Sequence, residues 1–211
     1  MTSESPIFEK IYNDYLAEVA ALDWTGKSER LGVQVTAEAI EIPFFNALYT
    51  VSPEDITDDQ GRRPPHAVSV ILCKYLLLCP ENPGKDRQLV TYKDFRDAAP
   101  YVQGFRNTAE NPIAKVFSGK ADALETRCRE LGGKACDLGV SCDLSYEFAA
   151  LPAVPIYMVY NDEDEEFSAD CSLLFERRAA HYLDMECLAM IGMVLAERLA
   201  QKEQSDISRL V

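Results

Sequence analysis

The sequence predicts an α+β fold, with a single domain over residues 1–211 in which N-terminal, central and C-terminal helices pack on antiparallel strands. Three observations support this prediction. Apolar residues recur every three or four positions in the N-terminal segment, which is typical of a helix. Apolar and polar residues alternate in several short segments, which is typical of strands with one buried face. The 211 residues contain no internal repeat or low-complexity tract, so we expect no division into separate domains.

The first helix is predicted to begin at Ser5-Pro6, with Ser5 as the N-cap and Pro6 at the first helical position. We expect it to extend over about 16 residues and to dock on the core through one apolar stripe. This stripe consists of Phe8, Ile11, Tyr12, Tyr15, Leu16 and Val19.

Strands and one buried helix are predicted next. The alternating segments GVQV and EAIEIPFF, followed by NALYTV, predict strands, and Pro43 indicates an edge strand or a break. The run HAVSVILCKYLLLC is too long and too apolar for one strand, so we expect a buried helix that Pro80 ends. The segment QLVTYKDF predicts a further strand that runs into a turn.

Three helices are predicted in the middle of the chain. The first covers Tyr101 to Ala109, and Asn111-Pro112 is expected to begin the second, because proline is favoured at the first helical position. The third covers Ala121 to Leu131 and ends at Gly132-Gly133.

The last third of the chain gives the clearest pattern. LPAVPIYMVY and FSADCSLLFE predict two strands of a hairpin joined by an acidic turn. The final helix is predicted to begin after Asp184, its N-cap, with Leu183 packed on Leu188. From Cys187 to Ala196 this helix is apolar on almost all sides. Such a helix lies in the centre of a core or is covered by another chain, so a homodimer through the C-terminal helix is one of two explanations.

The amino-acid composition limits the classes of partner and the cellular compartment that we expect for this protein. With 21 Lys and Arg against 35 Asp and Glu, the net charge is −14, which disfavours nucleic acid as a partner. No apolar run approaches the roughly 18 residues of a membrane span, and no signal peptide is visible. Seven cysteines, an odd number, fit a reducing compartment better than a disulfide scaffold. We therefore expect a cytoplasmic protein without nucleic-acid or membrane partners.

The acidic turn, residues 161–166, is the candidate metal site, because carboxylates suit Ca²⁺ and Mg²⁺. It does not match an EF-hand loop, since Phe167 and Leu173 occupy the places of the required Gly and Glu. The favoured interpretation is a hairpin tip kept soluble by charge. Like charges in one tip repel each other, however, and a divalent cation or a basic partner would relieve that repulsion. The candidate ligands are Asp162, Asp164, Glu165 and Glu166.

Thiols and imidazoles offer weaker signals. Cys128, Cys136 and Cys142 are alternative ligands for a soft metal, but no Cys-x-x-Cys pair supports a zinc site. The two histidines, His66 and His181, form no His-Glu-x-x-His motif.

The sequence contains neither a glycine-rich phosphate loop nor a nucleophile elbow. In TYKDFRD, Arg96 has the chemistry to clamp a carboxylate or phosphate with two hydrogen bonds, although pairing with a neighbouring Asp is the favoured interpretation. The candidate ligand-binding residues are Arg96, Tyr182 and His181, and we identify no catalytic residue.

The C-terminal segment also carries a resemblance to a family. Leu151-Pro152 before an apolar strand, the turn Asp164–Phe167, the strand end Leu174–Glu176 and the pair Tyr182-Leu183 resemble domain of unknown function 3786, an uncharacterised family of anaerobic bacteria and archaea. YKDFRD and YVQGF are similar to its middle portion, so the resemblance covers most of the chain. It implies no activity. Some relatives add a cysteine-rich segment of iron–sulfur type, but the first cysteine here is Cys73, so no such cluster and no direct electron transfer are implied.

Together these observations predict a non-catalytic binding or accessory protein of anaerobic metabolism. The basis is an ordinary globular core without a recognisable catalytic set, and no cofactor is evident beyond a divalent cation at the acidic turn. The alternative is a metal-assisted enzyme that uses carboxylates of the acidic turn 161–166, with His181 as a further ligand.

Overall fold

The computed structural model describes residues 6–23, 26–36 and 38–207, and within these ranges the side chains of residues 7–201. The predicted N-cap Ser5 lies outside the described residues. The chain is α+β, as predicted, with two antiparallel sheets and helices packed on them. The α-helices are α1 (Pro6–Ala20), α2 (Lys27–Leu31), α3 (His66–Leu77), α4 (Val102–Phe105), α5 (Asn111–Phe117), α6 (Ala121–Glu130) and α7 (Met185–Ile207).

Each sheet is antiparallel throughout. The strands of the first sheet are β1 (Gln34–Val35), β2 (Ile40–Phe44), β3 (Ala47–Val51) and β4 (Ile56–Asp58). They follow one another in chain order as a meander. The strands of the second sheet are β5 (Leu89–Thr91), β6 (Lys134–Ala135), β7 (Leu144–Leu151), β8 (Val154–Asn161) and β9 (Asp170–Glu176). Their order is β5-β9-β8-β7-β6, so β8 and β9 form the predicted hairpin at the centre.

Pro43 lies in β2, past the residues that pair with β1. It is paired with Leu48 of β3, while β1 pairs only with Ile40 and Glu41 of β2. No residue of β1 is paired with Pro43, so the missing amide hydrogen of the proline leaves no bond to β1 unmade. The expectation of an edge strand or a break at Pro43 is wrong, because β2 lies between β1 and β3 and continues through this residue. The proline is accommodated because β1 ends before it.

Strand β7 was not predicted from the sequence. Its buried residues Tyr146, Phe148 and Ala150 alternate with less buried ones, so the period of two was present in LSYEFAA. The pattern is weakened by Ala149 and by an irregular register between Phe148 and Leu151. This strand also joins the two sheets, since the carbonyl of Ala150 accepts a hydrogen bond from the amide of Phe45 at 2.9 Å.

A buried tyrosine holds α2 against the β7–β8 turn. The hydroxyl of Tyr75, on α3, donates to the carbonyl of Leu31 at 2.6 Å and accepts from the amide of Ala153 at 3.1 Å. The next residue after Leu31, Gly32, has a φ of 66°, and a Cβ there would lie 2.8 Å from Cβ of Pro152. Only glycine satisfies both the left-handed backbone and this close approach.

The two helices predicted before Ala121 form one continuous helical path. Between α4 and α5 the residues Arg106–Glu110 form a π segment. An α-helical segment begins at Asn111 with Pro112 in its first turn, as expected, but Glu110 before it is also helical, so Asn111 continues the path and does not cap a separate helix. The physical reason lies in Pro112, which has no amide hydrogen and cannot continue an α pattern. A wider π turn directly before the proline absorbs the mismatch without ending the helix.

The final helix is central in the core. Asp184 is its N-cap, as predicted, because its Oδ1 accepts from the amide of Cys187 at 2.9 Å. The helix contacts α3, α4, the π segment, α5 and α6, and seven of its ten residues from 187 to 196 are buried by the chain itself. Of the two explanations for an all-round apolar helix, the central position is the one observed. The homodimer stays a prediction.

Gly192 sets how closely the π segment approaches α7. A Cβ at this position would lie 2.5 Å from Cε2 of Phe105 and 3.1 Å from Cβ of Ala109. Both neighbours are almost fully buried. Real Cβ atoms do not approach this closely in packed interiors, so the absence of a side chain at residue 192 is what allows the contact.

Gly192→Ala should therefore destabilise the protein by about 1–3 kcal/mol, because the added methyl group overpacks the contact with Phe105. Urea unfolding followed by circular dichroism measures the change. Gly104→Ala is the matched control. Gly104 is an exposed position of α4 where a Cβ added to the backbone would meet nothing within 4 Å, and alanine there should be neutral or stabilise by up to about 1 kcal/mol. An equal response of both variants would contradict the packing argument.

Candidate functional site

Asp162 of the acidic turn is a helix-capping residue. Its Oδ1 accepts from the amides of Gly119 at 2.7 Å and Glu163 at 2.8 Å, and its Oδ2 accepts from the amide of Ala121 at 3.1 Å. Lys120, the N-cap position of α6, makes no capping bond with its own side chain. A carboxylate 41 residues further along the chain thus satisfies the amides that the start of α6 leaves free.

The electrostatics of Asp162 follow from these bonds. Burial alone would raise the pKa of its carboxyl, but the hydrogen bonds from Gly119, Glu163, Tyr160 and Ala121 outweigh burial and lower the pKa. The hydroxyl of Tyr160 lies 3.0 Å from the same Oδ1. The ionised form is therefore the one that the fold stabilises.

The neighbouring acidic residues of the turn are exposed, and two of them also accept hydrogen bonds. Asp164 Oδ1 accepts from the amides of Glu166 at 2.8 Å and Phe167 at 2.7 Å, which closes the turn, and Glu163 accepts from the hydroxyl of Ser118 at 2.7 Å. Glu165 is exposed. Across the described ranges, no group of three or more His, Cys, Asp or Glu side chains is arranged to hold a metal ion.

The three predicted ligand-binding residues do not share one surface. Arg96 is exposed and lines a groove of about 520 Å³ at the start of α7, together with Tyr101 and Asp184. Tyr182 is buried, with its ring centroid 6.3 Å from that of Tyr75. His181 is exposed and its ring lies against the backbone of Gly84. Their role in ligand binding stays a prediction.

The cysteines are free thiols. Cys128 is fully buried in the core, whereas Cys136 and Cys142 are half-buried near the connection from β6 to β7. No metal-binding group among the described residues includes the three.

A cavity of about 220 Å³ lies between the π segment, the end of β5 and the start of β9. We call it the π-segment cavity. Its lining combines cations, carboxylates and hydroxyls around an aromatic floor. The charged and hydroxyl-bearing side chains are Lys93, Arg106, Glu110, Asp170, Thr91 and Ser172.

The floor of this cavity is a stacked aromatic pair. The rings of Tyr92 and Phe105 lie 4.3 Å apart with an interplanar angle of 13°. The hydroxyl of Tyr92 donates to the carbonyl of Met185 at 2.6 Å, and Phe175 packs below Phe105 at 6.3 Å between centroids. The floor is therefore fixed to α7 and to β9 at the same time.

Glu110, the last residue of the π segment, provides a hydrogen-bond acceptor where β9 has no neighbouring residue of β5. Strand β5 pairs with β9 only at Leu174, Phe175 and Glu176, so the amide of Leu173 extends past the end of β5. Oε1 of Glu110 accepts from this amide at 3.1 Å. The Arg106 Nε lies 3.9 Å from Oε2. A side-chain carboxylate thereby completes the edge of the sheet inside the cavity.

Burial raises the pKa of Glu110 above its ordinary value of 4.5. The hydrogen bond from Leu173 and the positive charges of Arg106 and Lys93 oppose this effect, while the negative charge of Asp170 adds to it. The Glu110 side chain is only 14% exposed, against 58% for Arg106. A carboxyl group with a raised pKa in a cavity is a frequent mark of a functional site.

The π-segment cavity was not predicted from the sequence. Its signal was the spacing of Arg106 and Glu110, four apart, directly before Asn111-Pro112. A proline that follows a helical segment without a turn residue favours an irregular helical turn at that point. The partners on β9 are distant in sequence, so no local pattern identifies them.

The fold and the cavity define an α+β protein with two antiparallel sheets and a small cavity of mixed charge at the edge of the second one. The chain belongs to the family described as Domain of unknown function (DUF3786), whose model matches residues 23–198. The predicted family is thereby confirmed. No curated protein and no solved structure matches the chain. None of the described helices is both long enough and apolar enough to cross a membrane.

Asp162→Ala should lower the free energy of unfolding by about 1–2 kcal/mol, because α6 loses its cap. Since the pKa of Asp162 is lowered in the folded state, this contribution is present above the unfolded pKa and is lost as pH falls through the folded pKa. Chemical unfolding at neutral and acidic pH measures both effects. The matched control is Glu165→Ala at an exposed position of the same turn, where the change should stay within about 0.5 kcal/mol.

Glu110→Gln should change how stability depends on pH. The raised pKa means that the folded protein holds this proton more tightly than the unfolded chain does. The contribution of Glu110 is therefore full below its unfolded pKa and is lost as pH rises through the folded pKa. Glutamine keeps the acceptor oxygen for Leu173 but does not ionise. The stability of the wild type relative to the variant should fall with rising pH in urea titrations, and a constant or rising difference would contradict the burial of this carboxyl.

Proposed function

We propose that the protein is a non-catalytic binding protein, accessory to anaerobic metabolism, and that it binds a small polar molecule in the π-segment cavity. The observation that carries the proposal is Glu110, a largely buried carboxyl group in a helical segment of rare geometry that opens onto this cavity. π segments inside α-helices are frequently found at functional sites.

The size of the cavity supports a small ligand. Its volume of about 220 Å³ corresponds to roughly seven water molecules, at roughly 30 Å³ for each. Larger cofactors and nucleotides need cavities of at least about 300 Å³. The expected ligand is therefore a metabolite of few heavy atoms.

The charge distribution supports a polar ligand with both donors and acceptors. Lys93 and Arg106 offer hydrogen-bond donors, and Glu110 and Asp170 offer acceptors. The hydroxyl of Thr91 is already used, since it donates to Asp94 at 2.6 Å. Opposite charges at short range keep the cavity close to neutral as a whole, which favours a neutral or zwitterionic molecule over a strong anion.

Two side chains that line the cavity, Cys171 and Tyr92, support binding rather than nucleophilic catalysis. Burial raises the pKa of the Cys171 thiol well above its usual value, so the reactive thiolate is disfavoured. Burial likewise raises the pKa of Tyr92, whose hydroxyl is held by the carbonyl of Met185.

The alternative, a metal-assisted enzyme at the acidic turn 161–166, has less support. Asp162 and Asp164 each use carboxylate oxygens to hold backbone amides, and a cation would compete with those bonds. A melting temperature that rises with Mg²⁺, Mn²⁺ or Ca²⁺ would favour this alternative.

Ligand-observed NMR with a set of small polar metabolites tests the binding proposal. A hit should lose affinity by about tenfold or more in Arg106→Gln, since hydrogen bonds to a charged group contribute about 1.5–3 kcal/mol. Lys115→Gln is the matched control, because Lys115 is an exposed cation on the next helix, α5, and does not line the cavity. Hits that bind both variants as well as the wild type would place the ligand elsewhere and overturn the proposal.

A further inference from the structure

A second and larger cavity lies between the first sheet, the start of α3, the end of α6 and residues 197–201 of α7. Its volume is about 710 Å³. In a chain with a net charge of −14, four guanidinium groups meet along its lining. They belong to Arg62, Arg63, Arg127 and Arg198, and we call this cavity the arginine groove.

Three of the four arginines are neutralised within the fold. Arg62 pairs with Asp58 at 2.9 Å, and Arg63 pairs with Glu9 at 2.7 Å. Arg127 pairs with Glu130 and also donates to the carbonyls of Leu199 and Arg198, at 3.0 and 2.9 Å. These side chains have structural partners that account for their presence.

Arg198 differs from the other three. Among the described side chains, no carboxylate forms an ion pair with it. Its guanidinium lies over the rings of Phe44 and Phe45, at 5.1 and 5.2 Å from their centroids. It donates to the hydroxyl of Tyr49 at 2.9 Å and to the carbonyl of Phe44 at 3.4 Å. The group is therefore held in place by neutral partners, and its charge has no counterion in the described part of the chain.

A fixed guanidinium without a counterion is suited to bind a planar anion. Arginine carries five N–H donors in a rigid fork, and aromatic stacking holds the plane without using them. The two donations above use two of these N–H groups, so three are left on a residue that lines the groove. Two parallel hydrogen bonds from this fork match the geometry of a carboxylate.

We propose that the arginine groove binds the carboxylate of a small organic acid, with Arg198 as the anchoring residue. The volume falls within the range of roughly 300–1,000 Å³ that is usual for small-molecule sites. Asp59 and Glu197 also line the groove and are exposed. Their negative charges disfavour a phosphate, which concentrates its charge on one group, and favour an organic acid in which each carboxylate carries a single charge. The site is separate from the π-segment cavity and does not depend on the function proposed there.

Succinate, acetate and inorganic phosphate serve as probes of this site. In the wild-type protein, succinate should shift the NMR signal of the Arg198 Nε–H group, and isothermal titration calorimetry gives the affinity. Arg198→Lys keeps the charge but removes the planar fork, so it should weaken succinate binding by about tenfold or more. Arg62→Lys is the matched control, because Arg62 lines the same groove but is bound to Asp58. It should bind succinate like the wild type.

Three results would overturn the proposal: an Arg198 signal that succinate leaves unshifted, equal losses in Arg198→Lys and Arg62→Lys, or tighter binding of phosphate than of succinate. The first readout uses only the wild-type protein, so it holds even where Arg198→Lys fails to fold. A negative result at the arginine groove does not bear on the function proposed for the π-segment cavity, since neither Arg198 nor Arg62 lines that cavity.

Discussion

The contact between Gly192 and Phe105 positions most of the structure around the second sheet. Because residue 192 has no side chain, Phe105 enters the face of α7 and Ala109 follows one turn later. The inserted Phe105 ring then stacks on Tyr92 and packs on Phe175. One helix, one strand and one connecting turn are thereby fixed at a single point. The π-segment cavity is the space that remains beside this point.

Carboxylates that cap helices or complete the edge of a strand explain part of the acidic composition. Asp162 caps α6 from a remote turn, Glu110 completes the edge of β9, and Asp184 caps α7. In each case an ionisable side chain satisfies backbone amides that secondary structure leaves free. This use of acidic groups is structural, and it places two of them, Glu110 and Asp184, at the borders of cavities.

Much of the fold was predictable because its signals are local. The buried helix α3, the β8–β9 hairpin and the cap at Asp184 all follow from periodicity and terminal residues within a short window. The π segment was missed because it depends on Pro112 within a continuous helix. Strand β7 was missed because its register with β8 is irregular. Arg198 offered no signal at all: its isolation from carboxylates among the described side chains arises only when Phe44, Phe45 and Tyr49 assemble around it.

The hydroxyl of Tyr75 ties two regions that are far apart in sequence, the end of α2 and the β7–β8 turn. The amide of Ala153 belongs to a tight turn, where exchange with solvent deuterium is normally fast. Because this amide donates to a buried hydroxyl, it should exchange its hydrogen only when the core around α3 opens. The isotope uptake of this one amide therefore reports whether α3 separates from the β7–β8 turn before the whole chain unfolds.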